Sequence, residues 1–182
     1  MICFIDFETT GIDVFRDEPI EFGAVLVDYN LKIKNEFSSK MSINKSVYLT
    51  KRAFNIHNIS IEDLDKSPNQ KEVVNKFFNE FGTDFRLGGW NTSFDVSFLR
   101  KICHKNGMMV SYNKINHRHI DTQSLGFLAV ELGLVEHSKN SLNDWVNHFG
   151  FKRRSNHSAL EDAKLTFEIY KGLLDLFRKQ LK

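Results

Sequence analysis

The chain has 182 residues, a formal net charge of +2 and an ordinary apolar share of 41%, with 17 phenylalanines but only 10 glycines and 2 prolines. A chain of that length buries one proper core without disulfides or a structural metal, and the composition excludes a disordered, low-complexity or fibrous polymer. The near-neutral balance excludes a basic field over the whole molecule, so any affinity for a polyanion has to come from local clusters.

The apolar run Ile2 to Ile5, ending in Asp6, reads as a buried strand over 2–6. No basic leader precedes it and no apolar run is long enough to cross a bilayer, so a soluble cytoplasmic protein without a membrane partner is expected. The two cysteines, Cys3 and Cys103, fall inside apolar patterns, which suggests neither a disulfide framework nor a thiolate metal site. Strand-like runs follow over 19–28 and 31–41, with Tyr29-Asn30 as a tight connection, and together they predict an antiparallel meander. Residues 46–64 show only short helical patches, and a firmer helix spans 69–81, after Pro68 and before Gly82. Leu87 to Trp90 then leads into a helix over 93–105, whose Phe94, Phe98, Leu99 and Ile102 recur at helical spacing. The strand-to-helix unit recurs at His119-Ile120-Asp121, with a helix running to Leu132. Helices over 141–148 and 159–178 complete the chain. A meander followed by strand–helix units predicts an α/β sheet flanked by helices, in a single domain over 1–182.

Asp6 and Glu8 stand two apart on a strand, so their side chains share a face. Two adjacent carboxylates raise each other's pKa unless they share a cation. A polar strand end is the bland alternative for the pair alone, but open α/β sheets bind ligands beyond the carboxyl ends of their strands, where this pair lies. The turn Thr9-Thr10-Gly11 follows and can offer backbone N–H groups to a ligand. Asp95, in Asn91-Thr-Ser-Phe94-Asp95, falls in a strand-to-helix loop or first helical turn, where the helix dipole alone would favour an acid. Ser158-Ala-Leu-Glu161 has the form of a capping box, with Ser158 at the N-cap of the last helix, Asp162 at N4 and His157 just outside. The positions that flank a hydrophobic staple are thus taken by a His/Asp pair, a broken local rule that marks a candidate site. Three stretches deliver acids to one sheet edge. Oxygen-only ligands select Mg²⁺ or Mn²⁺, and the constellation suits two-metal phosphoryl chemistry, with the histidine as a base near neutral pH.

These motifs, in this order, resemble the DEDDh exonucleases, a DnaQ-like family with an RNase H-like fold. The three motifs are Asp6-Phe-Glu8-Thr-Thr-Gly11, Asn91-Thr-Ser-Phe94-Asp95 and His157-Ser-Ala-Leu-Glu-Asp162. Between them, Ala53-Phe54-Asn-Ile-His57, Asp121-Thr-Gln-Ser-Leu125 and Asn140-Ser-Leu-Asn-Asp144 also look like the proofreading epsilon subunit of bacterial DNA polymerase III. The resemblance implies an RNase H-like mixed sheet, an antiparallel meander plus parallel strands, flanked by helices. It further implies 3′-to-5′ removal of 5′-mononucleotides from DNA, single-stranded or frayed, with two divalent metal ions, Mg²⁺ or Mn²⁺. Asp6 would then bridge the metals, Glu8 and Asp162 complete one shell, Asp95 hold the second ion, and His157 act as general base. Ser158 stands where the tyrosine subclass carries its tyrosine, so the histidine subclass is indicated. Phe54, His57 and Phe94 match positions lining the terminal-nucleotide pocket, where aromatic stacking tolerates any base, and Asn91 in the second motif is a further substrate-binding candidate. Asp121 is read as a helix N-cap.

Lys152-Arg153-Arg154 lies beside the third motif, and Arg153 and Arg154 are candidates for holding the phosphate backbone. RNA trimming of the ribonuclease T or oligoribonuclease type is the alternative, because both activities would use the same five residues and differ in contacts to the 2′-OH. A catalytically inactive nucleic-acid-binding module is the further alternative, and retention of all four acids and the histidine speaks against it. The expected partner is the 3′ end of DNA, with polymerase association open and a stand-alone or loosely associated enzyme favoured.

Overall fold

The structure is a computed structural model that describes residues 1–44, 55, 58–136, 139–153 and 158–181. Three strands open the chain: β1 (Ile2–Thr9), β2 (Pro19–Val27) and β3 (Ile33–Lys40). The short α1 (Ile61–Asp65) and α2 (Gln70–Phe81) lead to β4 (Arg86–Gly89). Then come α3 (Thr92–Lys105), α4 (Met109–Tyr112), β5 (Asn116–Asp121), α5 (Thr122–Glu131), α6 (Leu142–His148) and the long α7 (Ala159–Gln180). The sheet order is β3-β2-β1-β4-β5, antiparallel across β3, β2 and β1 and parallel across β1, β4 and β5. This is the predicted mixed sheet of an RNase H-like fold.

β1 sits at the centre. The chain leaves it toward β2 and β3 on one side and returns on the other as β4, which makes the β1/β4 junction the point where ligands bind in open α/β sheets. Its odd residues Cys3, Ile5 and Phe7 face one layer, with α2 and α3. Much of the phenylalanine is spent there: Phe7 stacks on Phe22 at 4.4 Å, and Phe22 meets the edge of Phe77 at 4.9 Å. Each such ring contributes roughly 1.5–3 kcal/mol by leaving water. The even residue Phe4 faces α7, in a cluster with Val25, Ala163 and Phe167. α5 and α6 pack on the outer part of α7 around Trp145 and Ile169.

Three differences from the sequence expectation have local causes. β1 does not end at its first acid: the antiparallel ladder continues through Asp6↔Gly23, Phe7↔Phe22 and Glu8↔Glu21 to Thr9. β5 starts at Asn116 rather than His119, and as an edge strand exposed along most of its length it lacks the apolar alternation that periodicity can detect. α4 is a single turn with no buried residue. Of the helical patches expected over 46–64, residues 45–54 and 56–57 lie outside the described residues. Among the described residues no helix is long and apolar enough to cross a membrane.

Candidate active site

Strand alternation places Asp6 and Glu8 on the same side of β1 as Phe4, and that side is covered by α7. Phe4 packs against Phe167 at 5.5 Å between ring centroids, which fixes the height of the helix. Following β1 from Phe4 toward Glu8 means following α7 back toward its first turn, where Asp162 lies. Ligand oxygens of Asp6, Glu8 and Asp162 fall within 4.8 Å of one another.

The approach depends on two residues of β2 that the sequence analysis did not single out. Gly23 pairs with Asp6, and a Cβ there would overlap the backbone of Ala159 and Leu160. Glu21, opposite Glu8, is buried and accepts the Ala159 N–H at 3.1 Å. The expected capping box is therefore corrected: Ser158 is the N-cap residue but makes no side-chain cap hydrogen bond, and the helix's first amide, on Ala159, is met by a strand carboxylate. A lone acid and a lone glycine inside the apolar run Pro19–Val27 were the available signal.

The fourth acid arrives from α3. Asn91 adopts φ 54°, a left-handed conformation that asparagine tolerates, and turns the chain from β4 into the helix. Asp95 then falls in the first turn, 2% exposed, and accepts the Phe7 N–H at 2.9 Å. That amide is available because β4 pairs with β1 only at Ile2, Cys3 and Phe4.

Burial raises the Asp6 carboxyl well above its ordinary range, and Asp95, Asp162, Glu8 and Glu21 push it further. Glu8 is pushed up to about 8 by burial, then by Asp162 and Glu21, with Arg153 pulling against them. Asp95 is raised by burial despite the Phe7 N–H, and Glu21 is raised by burial despite the Ala159 N–H. Arg153 lies beside the cluster, its Nη2 at 2.7 Å from Asp162 Oδ1. One guanidinium cannot neutralise so many acids. A hard divalent cation fits the donor set, which is made of carboxylate oxygens alone.

The other candidates are distributed as follows. Thr9 donates its hydroxyl to Gly11 O at 2.6 Å. Thr10 is fully buried; its hydroxyl donates to Asp17 and accepts the Glu18 N–H, so its side chain closes the loop after β1. A Cβ on Gly11 would collide with the Asp17 carboxylate. Asn91 is exposed, and Phe94 is half-buried against Phe98 at 5.0 Å, as part of the α2–α3 core. Asp121 is the N-cap of α5, accepting the Gln123 N–H at 3.2 Å. Phe54, His57, Arg154 and His157 lie outside the described residues.

Comparison with known proteins matches this arrangement to a family. The RNase T family model, described as Exonuclease, matches residues 3–170. The PolC-type DNA polymerase III of Caldanaerobacter subterraneus is 31% identical over 171 residues, which is 93% of this chain and 11% of that protein. The chain thus spans about a tenth of the length of the PolC-type relatives it matches. The DNA polymerase III epsilon subunit of Buchnera aphidicola is 31% identical over 175 residues, 91% of this chain and 67% of that protein. Among solved structures, E. coli exonuclease I in complex with a dT13 oligonucleotide superposes with a TM-score of 0.83 over 99% of this chain and 42% of that chain. At 17% identity that likeness is one of fold. The chain belongs to the RNase T exonuclease family.

Proposed function

We propose that residues 1–182 form one exonuclease domain that removes 5′-mononucleotides from the 3′ end of DNA, single-stranded or frayed. The observation that carries this reading is the convergence of Asp6, Glu8 and Asp162 within 4.8 Å, beside an Asp95 held by the amide between the first two acids. Two divalent ions, Mg²⁺ or Mn²⁺, held by Asp6, Glu8, Asp95 and Asp162, would supply Lewis-acid stabilisation of the attacking and leaving oxygens. His157, assigned from the sequence, takes the proton from the attacking water. The water oxygen bonds to phosphorus, the bond to the 3′-oxygen of the preceding nucleotide breaks, that oxygen takes up a proton from solvent to become the new 3′-hydroxyl, and the terminal nucleotide departs with a 5′-phosphate. Arg153 and Arg154 hold the backbone near the scissile bond. DNA rather than RNA is supported by the names of the relatives, which are DNA polymerase III proteins, and association with a polymerase belongs to the same proposal.

The test compares 3′-labelled and 5′-labelled DNA and RNA oligonucleotides with Mg²⁺ or EDTA. A metal-dependent ladder from the 3′ end of DNA is expected, with no cutting of closed circular single strands. His157→Ala should lower kcat by roughly 10²- to 10⁴-fold and remove the rise of rate with pH near pH ~6 to 7. Cutting of circles, or full activity in EDTA, would overturn the proposal.

A further inference from the structure

At the end of the sheet opposite the acids, the first residues of β1, β4 and β5 and the β2–β3 turn open a cleft of about 660 Å³. Arg86, Lys114 and Arg118 line it together with Tyr29 and Tyr170. The three cations are exposed, and none lies within ion-pairing distance of a carboxylate among the described residues. Asp84 is the one carboxylate among the described lining residues. In a chain whose net charge is +2, that is a strong local excess. Tyr29 is 87% exposed, an unusual position for a large ring. Tyr170 has one side on Phe4 at 5.4 Å and is near enough to Arg86 and Arg178 for both to act on its phenol. Cations in excess of acids, beside one exposed and one half-exposed tyrosine, are the combination that grips a single-stranded nucleic acid, phosphates on the former and bases on the latter.

The position of the cleft gives it a meaning. Ile2 lines it, and Asp6 and Glu8 lie four and six residues further along β1, about 13 and 20 Å at ~3.3 Å per residue. The exposed β5 edge runs over the same interval, from Asn116 in the cleft to Asp121 near the carboxyl edge. A stacked strand places one phosphate per ~3.4 Å, so ~20 Å corresponds to about six nucleotides.

We propose that this cleft is a second nucleic-acid site, which holds the substrate strand about six nucleotides upstream of the terminus being cut. It rests on the exonuclease reading for its connection to cleavage, but its binding chemistry stands apart from the acids. The ligand class is the nucleotide phosphate, and its source is the continuous strand rather than a released mononucleotide.

The test uses the full chain with Arg86, Lys114 and Arg118 all changed to alanine, and separately Tyr29→Ala. These side chains are exposed, so the melting temperature should not move. Binding is measured by fluorescence anisotropy in EDTA, with a four-nucleotide strand, a sixteen-nucleotide strand and a 5′-mononucleotide. The wild type should bind the long strand much more tightly than the short one. The triple variant should lose about tenfold or more on the long strand only, with a salt slope shallower by about two, as expected for three lost single-strand phosphate contacts. Mg²⁺-dependent cutting of the four-nucleotide strand should be unchanged. Long-strand affinity and salt slope equal to wild type would overturn the proposal, as would a wild type with no preference for length. A loss confined to the mononucleotide would also overturn it, marking a product site instead. A protein that cuts nothing yet shows the length-dependent loss would overturn the exonuclease reading and leave the cleft standing.

Discussion

The backbone N–H of Phe7, between Asp6 and Glu8, donates to Asp95 Oδ1 at 2.9 Å, so the acid from α3 is tied to the strand that carries the first two. One bond does two jobs: it satisfies a strand amide that β4 does not reach, and it fixes a carboxylate 88 residues away in sequence at the site. The two jobs can be separated by substitution. Asp95→Ala leaves a buried donor unpaired and should cost about 1–3 kcal/mol in a denaturant melt, besides abolishing cleavage. Asp95→Asn keeps an oxygen for Phe7 and removes a charge that burial already disfavours, so it should melt at or above the wild-type temperature while turnover collapses. Normal turnover in Asp95→Asn would remove this residue from the chemistry.

The metal-free protein should become less stable as pH rises. Asp6, Glu8, Asp95 and Glu21 all have folded-state pKa values raised above their ordinary ones, Glu8 from 4.5 to about 8. A group raised on folding contributes its stability in full below the unfolded pKa and loses it as pH climbs through the folded value. Between pH 5 and about 8 the melting temperature in EDTA should therefore fall, and saturating Mg²⁺ should flatten that fall. Glu8→Gln in EDTA should also be flatter. A melting temperature in EDTA that is level or rises over this window would contradict the crowded-carboxylate account.

Much of this site was legible because its acids interrupt otherwise regular patterns: Asp6 ends an apolar run, Asp95 follows a short strand, and Asp162 opens an amphipathic helix. What periodicity does not carry is contact between distant elements. Glu21 looks like one polar position in a strand, and only the packing of α7 reveals that it holds the helix's first amide. Ser158 looks like a capping residue by spacing, yet local spacing says nothing of a carboxylate arriving from β2. Thr10 belongs to a turn whose backbone N–H groups were expected to face a ligand; its own N–H donates to Glu18 O at 2.9 Å and its buried hydroxyl bridges Asp17 and Glu18, contacts that local spacing does not carry. β5 was underestimated for the opposite reason, since an exposed edge strand has no core face to write a pattern.

Gly23 should be intolerant of even a methyl group. The obstacle is the backbone of Ala159 and Leu160, which cannot rotate away as a side chain can, so α7 has to lift from β2 and carry Asp162 with it. Gly23→Ala should destabilise by roughly 1–3 kcal/mol, the usual cost of overpacking, and should lose most activity even where circular dichroism shows it folded. Gly82→Ala is the control: φ is +67° and ψ −146° there, a conformation nearly reserved for glycine in otherwise open space, so it should lose about 1–3 kcal/mol of stability and still keep its activity. Full activity in folded Gly23→Ala would show that the placement of α7 is not what sets the site.

On the proposed metal assignment, Arg153 and an incoming metal would compete for the same carboxylates. Its Nη2 lies 2.7 Å from Asp162 Oδ1, the two side chains are 17% and 9% exposed, and its charge also draws Glu8 down. Removing the guanidinium should have opposite effects on two measurements. Without metal, Arg153→Ala breaks the largely buried pair with Asp162, a change that costs up to about 3–5 kcal/mol, so the melting temperature in EDTA should drop. With metal, the carboxylates no longer have to give up a partner, so calorimetry should show tighter Mg²⁺ binding and a larger thermal gain on adding it. Arg153→Lys, which keeps the charge but not the planar fork, should fall between the two. If Arg153 also holds the phosphate backbone, KM for a strand should rise in Arg153→Ala even at saturating Mg²⁺. Mg²⁺ affinity equal to or weaker than wild type in Arg153→Ala would mean that the guanidinium and the metal do not exchange places, and that Arg153 keeps its bond to Asp162 through the reaction.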